Sequence, residues 1–323
     1  MALLRLFFLS LLTIVMTLGS DIPPLSLKPS SLVEGPLLKL AYHKGPLLTG
    51  DINLYLLWYG QFPLSQKSII LDFLASLSCE TPNPRTNASV HSWWATLSSY
   101  EDSLGHGIRG CLTVVKQAYD EAYTLGKTVR RIDLKAIVLG AIAKGTFPLD
   151  PNKGIYIVLS SRDIGVERFC LSSCGFHEPL TRTKRAEEAI VMGWVGDSST
   201  QCPGECAWPL AKAQYGPHME PLKAPNGDIG GDGMVMNLGV ILAGALSNPY
   251  GSGYFQGNAL APLEAGSACA GVFGTGAYPG YPGVLLKHPK TGASFNAYGV
   301  RNRTFILPAL WDPKTLSCKT PLA

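Results

Sequence analysis

The chain has 323 residues, 46% of them hydrophobic and only 15% charged, with a formal net charge of +4. Those values exclude wholesale disorder, an acidic tail protein and a strongly basic nucleic-acid binder. With 35 glycines and 24 prolines, against a usual share of about 12%, they point to a compact, loop-rich, weakly charged globular protein.

The first 19 residues predict a removable signal peptide. Arg5 supplies the positive n-region, 6–18 the apolar run, and Thr17 and Gly19 the small residues before a cut at Ser20. The run is shorter than the roughly 20 residues of a spanning helix. The mature chain is therefore expected in the extracellular space, with no membrane span. Residues 20–36 read as a flexible lead-in, and 37–323 as one domain.

Within that domain, 51–60 predicts a buried aromatic strand and Ser65 caps a helix through Leu77. A second helix over 89–100 carries Trp93 and Trp94. A strand is expected over 112–116, a helix over 133–144, and central strands over 154–160 and 189–195. The charged stretch 178–188 reads as a solvated loop, although its dibasic Lys184-Arg185 could be a processing site. Asp232 is expected to N-cap an apolar helix over 233–246. From Pro249 the chain turns irregular. This order implies an α/β fold, a single mixed domain with a Gly/Pro-rich C-terminal section.

Eight cysteines, Cys79, Cys111, Cys170, Cys174, Cys202, Cys206, Cys269 and Cys318, allow up to four disulfides in an oxidising compartment. Two pairs share C-x3-C spacing, which a zinc site would also accept; the secretory leader favours disulfides. Asn87-Ala-Ser and Asn302-Arg-Thr are candidate N-glycosylation sites.

Signatures of catalysis are absent. No G-x-S-x-G, P-loop or H-E-x-x-H occurs, and no two of the six histidines stand closer than 15 residues. Asp228 and Asp232 open a poor calcium loop, with Gly230 and Gly239 where ligands should stand. Three weaker sites remain. His177, Asp228 and Asp232 could assemble a hydrolase site. Trp93 and Trp94 could form a sugar platform, although core packing is favoured. The segment 278–281, with Tyr278 and Tyr281, could also meet carbohydrate. No cofactor and no nucleic-acid partner is implied.

Several motifs in fixed order resemble the plant EXORDIUM-like, or phosphate-induced, protein family. They include Tyr42-His43-Lys-Gly-Pro, Leu57-Trp58-Tyr59-Gly60, Ser92-Trp93-Trp94 and Cys170-Leu-Ser-Ser-Cys174-Gly-Phe-His177. Further motifs are Gln201-Cys-Pro-Gly-Glu-Cys206-Ala-Trp-Pro209, Ala224-Pro-Asn-Gly-Asp228 and Pro308-Ala-Leu-Trp-Asp-Pro313. The resemblance runs from about residue 37 to the end. It implies an apoplastic cell-wall protein of growth, cell expansion and brassinosteroid response, with an unknown wall polysaccharide or extracellular receptor as partner and no firmly attached enzymatic activity. It further implies a degenerate metzincin-like scaffold. Aligning Asn248-Pro249 with the end of a metalloprotease-like helix puts Val240, Ile241 and Gly244 where that helix carries its metal and base residues. None of the three can bind zinc or move a proton.

Overall fold

Three apolar stretches become the buried centre of a five-stranded open sheet. They are β1 (Ile52–Tyr59), β3 (Gly154–Ser160) and β5 (Ile190–Gly196), flanked by β2 (Leu112–Asp120) and β4 (Gly175–Leu180). The order is β2-β1-β3-β5-β4, with only β4 antiparallel to its neighbour. This computed structural model describes residues 38–80, 82, 87–151, 153–180, 189–217, 219–259 and 261–322. The expected leader, the lead-in and Lys184-Arg185 lie outside them.

Side chains alternate across a strand, and the alternation builds two cores. Leu54, Leu56 and Trp58 of β1 join Ile155, Ile157 and Leu159 of β3 on one face. That face packs against α1 (Leu64–Ala75), the short α2 (Val90–Trp94) and a long helix, α4 (Ile229–Ser247). On the other face Tyr55, Leu57 and Tyr59 meet Tyr156, Val158, Met192 and Trp194, covered by Leu134, Val138 and Ile142 of α3 (Arg131–Ala143). Burial on both faces is why these strands read as continuous apolar runs.

Several boundaries differ from the sequence expectation. Helix α1 begins at Leu64 after Pro63, so Ser65 lies inside it and does not cap it. Residues 178–180 of the expected solvated loop belong to β4. Strand β2 runs four residues further, to Asp120. Its polar end still pairs with β1 through a one-residue slip between Leu54 and Tyr55 that leaves Val115 without a partner. The second helix stops at Trp94 and continues as a 3-10 turn over Ala95–Ser99. Helix α4 starts at Ile229, where the Asp228 carboxylate accepts from Gly231 N at 2.9 Å. Asp232 is thus not the cap; it lies inside the first turn and is buried.

Helix α4 is apolar and long enough to cross a membrane by composition alone, but it is a core element here, with 16 of its 19 residues buried. Glycines let its neighbours come close: a Cβ at Gly239 would stand 2.8 Å from the Trp93 ring. Each helical glycine costs about 1 kcal/mol against alanine, offset here by that packing.

All eight cysteines are paired, as the secretory reading expects. The two C-x3-C segments cross-link each other, Cys170 to Cys202 and Cys174 to Cys206. Cys79–Cys111 ties the chain after α1 to the entry of β2, and Cys269–Cys318 pins the C-terminal section. That section is built of two- and three-residue ladders such as Ala297–Tyr298 with Thr304–Phe305.

Candidate functional site

The order of connections creates a crevice. From β1 the chain crosses by α1 to β2 on one side. From β2 it returns by α3, over the opposite face, to β3 on the other side of β1. Loops leaving β1 and β3 therefore part at their carboxyl ends. In open α/β sheets this switch point is the usual ligand crevice. The loop after β5 and the first turn of α4 complete it.

The resulting polar cleft has two adjoining lobes of about 540 Å³ and 320 Å³, sharing Arg162, Ser199 and Asp228. Asp197 lies in the smaller lobe, only 2% exposed. Its carboxylate accepts from Ser199 N at 2.9 Å and from Gln66 Nε2 at 2.8 Å. Close approach by α4 requires Gly230, since a Cβ there would stand 2.5 Å from Asp197 Oδ1. Arg303 is held by Asp72 Oδ2 at 2.9 Å, Ser68 at 3.0 Å and Asn226 Oδ1 at 3.2 Å. Arg162 has its carbonyl fixed by Thr200 Oγ1 and Gln201 Nε2, while its side chain is exposed.

Behind the cleft, Asp232 accepts from Asn226 N at 2.9 Å and Asn226 Nδ2 at 2.6 Å. Burial pushes its carboxyl up to about 7, against the pull of those hydrogen bonds. A folded-state value above the unfolded one means that the folded chain holds the proton more tightly. The contribution is complete below about pH 4 and lost as pH rises through 7, about 4 kcal/mol in all. Unfolding titrations at successive pH values should show this decline in the wild type and a flatter profile in Asp232→Asn. Parallel profiles would remove Asp232 as its source.

The other expected site residues lie elsewhere. His177 does not meet Asp228 or Asp232, so the three-residue hydrolase site is not assembled. On β4 it faces the far half of α4, where its Nε2 is 2.9 Å from Glu264 Oε2. Glu264 also accepts from Asn248 Nδ2 at 2.6 Å. Gly244 makes room for this pair: a Cβ there would stand 2.7 Å from both partners. Sixteen residues of helix, about 24 Å, separate Gly244 from Asp228. Val240 packs against Gly266, and Ile241 against Gly175 and Gly193.

Trp93 and Trp94 are no sugar platform. They are 1% and 4% exposed, with indole N–H groups donating to the Pro308 and Gly110 carbonyls. Tyr278 and Tyr281 do meet near the surface, ring centroids 5.1 Å apart and planes tilted by 35°. Asn87 and Asn302 are both exposed. Among the described residues no group of three or more His, Cys, Asp or Glu could hold a metal. Sequence reasoning missed Gln66, Arg162, Asp197, Ser199 and Arg303. Three of them, Arg162, Asp197 and Ser199, follow the ends of apolar strands, and that position is the available signal.

The phosphate-induced protein 1 conserved region matches residues 40–321. The chain belongs to the EXORDIUM-like, phosphate-induced protein family. It is 46% identical to Protein PHOSPHATE-INDUCED 1 of Nicotiana tabacum over 300 residues, 91% of this chain and 92% of that one. It is 45% identical to Protein EXORDIUM-like 2 and 46% to Protein EXORDIUM, both of Arabidopsis thaliana, over 90% and 87% of this chain and 92% and 88% of theirs. No solved structure matches it. The EXORDIUM-like domain thus coincides with the α/β body that frames the cleft.

Proposed function

We propose that this EXORDIUM-like chain is a secreted protein of the apoplast and cell wall that acts in growth, cell expansion and brassinosteroid-related signalling. It works by binding a wall polysaccharide or an extracellular receptor, not by catalysis. The observation that carries the reading is the switch-point cleft. The Asp197 carboxylate, Gln66 amide and Arg303 guanidinium are held in place by their neighbours, beside the Ser65 and Ser199 hydroxyls, a lining suited to a hydroxyl-rich ligand.

Other features support the reading. The cysteines are fully paired, as in exported proteins. Both sequon asparagines are exposed. On α4, Val240, Ile241 and Gly244 stand where a metalloprotease-like helix would carry its metal and base residues, and Gly244 is closed over by the His177–Glu264 pair. That favours a decayed, metzincin-like scaffold over a working hydrolase.

The test is a titration of the purified mature protein with wall-derived oligosaccharides while product formation is followed. Binding without turnover, weakened about tenfold by Asp197→Asn, is the expected result. Hydrolysis by the wild type that disappears in the Asp197→Asn protein would overturn the reading.

A further inference from the structure

We propose that the switch-point cleft binds a carboxylate-bearing sugar, a hexuronate unit, with Arg162 as the residue that takes the carboxylate. This rests on the reading of the cleft as the ligand site and adds the class of ligand.

Two cations line the cleft, and they differ in what they still have to offer. Arg303 is occupied, its three guanidinium nitrogens engaged by Asp72, Ser68 and Asn226. Arg162 lines both lobes, yet its guanidinium has no hydrogen bond or ion pair among the described residues. Its main chain is nevertheless fixed, the carbonyl accepting from Thr200 and Gln201. The result is a planar cation with five donors on a pinned loop, matched to a carboxylate that it can bind bidentately.

The rest of the lining asks for hydroxyl groups. Asp197 accepts one hydrogen bond on each oxygen, about half of what a carboxylate can take. Asp228 uses one oxygen to cap α4. Ser65 and Ser199 add hydroxyls that can donate or accept, whereas Asn226 is engaged by Asp232, Thr304 and Arg303. A neutral sugar would satisfy these and leave Arg162 unanswered. A compact phosphate or sulfate would answer Arg162, use few hydroxyl acceptors and lie against Asp197 and Asp228 with like charge. A hexuronate carries both kinds of group on one ring. The lobes, about 540 Å³ and 320 Å³, fall within the range of ligand sites, roughly 300–1,000 Å³, so adjoining units of a short oligomer can be seated.

Calorimetric titration of the full mature chain tests the assignment with four probes: an oligogalacturonate of four units, the same oligomer fully methyl-esterified, free galacturonate and inorganic phosphate. Esterification removes the charge and keeps the rings. The acid oligomer should bind about 10- to 100-fold more tightly than its ester at low salt, with the gap narrowing as salt rises. Arg162→Gln should lower the acid to the ester's level, and Arg162→Lys should restore part of the difference. Free galacturonate should bind more weakly than the oligomer if polymer units occupy both lobes, and equally if a single unit is read. Either result keeps the uronate assignment. Equal affinity for acid and ester would overturn it while leaving the cleft as a neutral-glycan site. Phosphate displacing the acid oligomer at comparable concentration would overturn it in favour of a general anion site. Absence of binding to both oligomers would also overturn it. The Asp197→Asn titration with neutral wall oligosaccharides then decides separately whether the cleft reading survives. Arg162 is exposed, so unchanged melting of its variants separates lost recognition from misfolding.

Discussion

Trp93→Ala is expected to destabilise the fold by about 3–5 kcal/mol, the range for large aromatic truncations in cores. The side chain is 1% exposed and lies where α1, α2 and α4 meet. Gly239 of α4 admits the ring at a distance that no Cβ would permit. Trp94 and Phe73 pack beside it, with centroids 5.4 Å and 6.4 Å away. Truncation would also strand the Pro308 carbonyl, which accepts from Trp93 Nε1 at 2.8 Å. Few small shifts could refill the volume, because the helix backbone forms one wall. Urea unfolding should show the loss in the midpoint with the slope unchanged, and Trp93→Phe should recover part of it. If Trp93→Ala kept its stability and lost oligosaccharide binding, the ring would belong to a binding surface and the packing argument would be wrong.

His177→Ala is expected to cost about 3 kcal/mol, at the low end for stripping a hydrogen-bonding partner from a buried carboxyl group. The side chains of His177 and Glu264 are 8% and 13% exposed. Removing the imidazole leaves the Glu264 carboxyl in the interior with Asn248 as its one remaining partner among the described residues. The low end is chosen because His177 Nδ1 is itself buried without a hydrogen-bond partner among the described residues, so its removal also relieves an existing cost. Glu264→Gln keeps the bond from Asn248 and tests the pair from the other side. A double-mutant cycle should give a coupling above about 1 kcal/mol. Oligosaccharide binding should not change, since Gly244 and the cleft stand at opposite ends of α4. A coupling near zero would show that the two side chains are held independently.

Much of the architecture was readable because burial on both faces leaves a plain mark. Residues 154–160 carry an unbroken apolar and aromatic run from Ile155 to Leu159 that reads as a central strand; they occupy the middle of the sheet. The paired cysteines followed from the leader and their even count, but their connectivity did not, since spacing says nothing about which segments the sheet brings together. Asp232 was misread because a carboxylate before an apolar run signals a cap, and Asp228 carries the same signal four residues earlier. Two glycines between them, Gly230 and Gly231, conceal a first turn that packs too closely for larger residues. The cleft was hardest to read. Gln66, Arg162, Asp197 and Arg303 are scattered over more than 230 positions and meet because strand order gathers α1 and the loops after β3 and β5, while Asp72 draws Arg303 in from the C-terminal section. Periodicity carries no trace of that order. Trp93-Trp94 misleads in the opposite way, for aromatic pairs look alike in sequence whether they face solvent or a glycine in a neighbouring helix.

The rung-like pairing of Cys170 with Cys202 and Cys174 with Cys206 has a consequence for proteolysis. Lys184-Arg185 falls between the two halves of both bridges. A cut there would produce a two-chain molecule whose segments stay covalently joined twice over, with β4 on one piece and β5 on the other. Maturation at that site would pass unseen under non-reducing conditions and separate into fragments only after reduction.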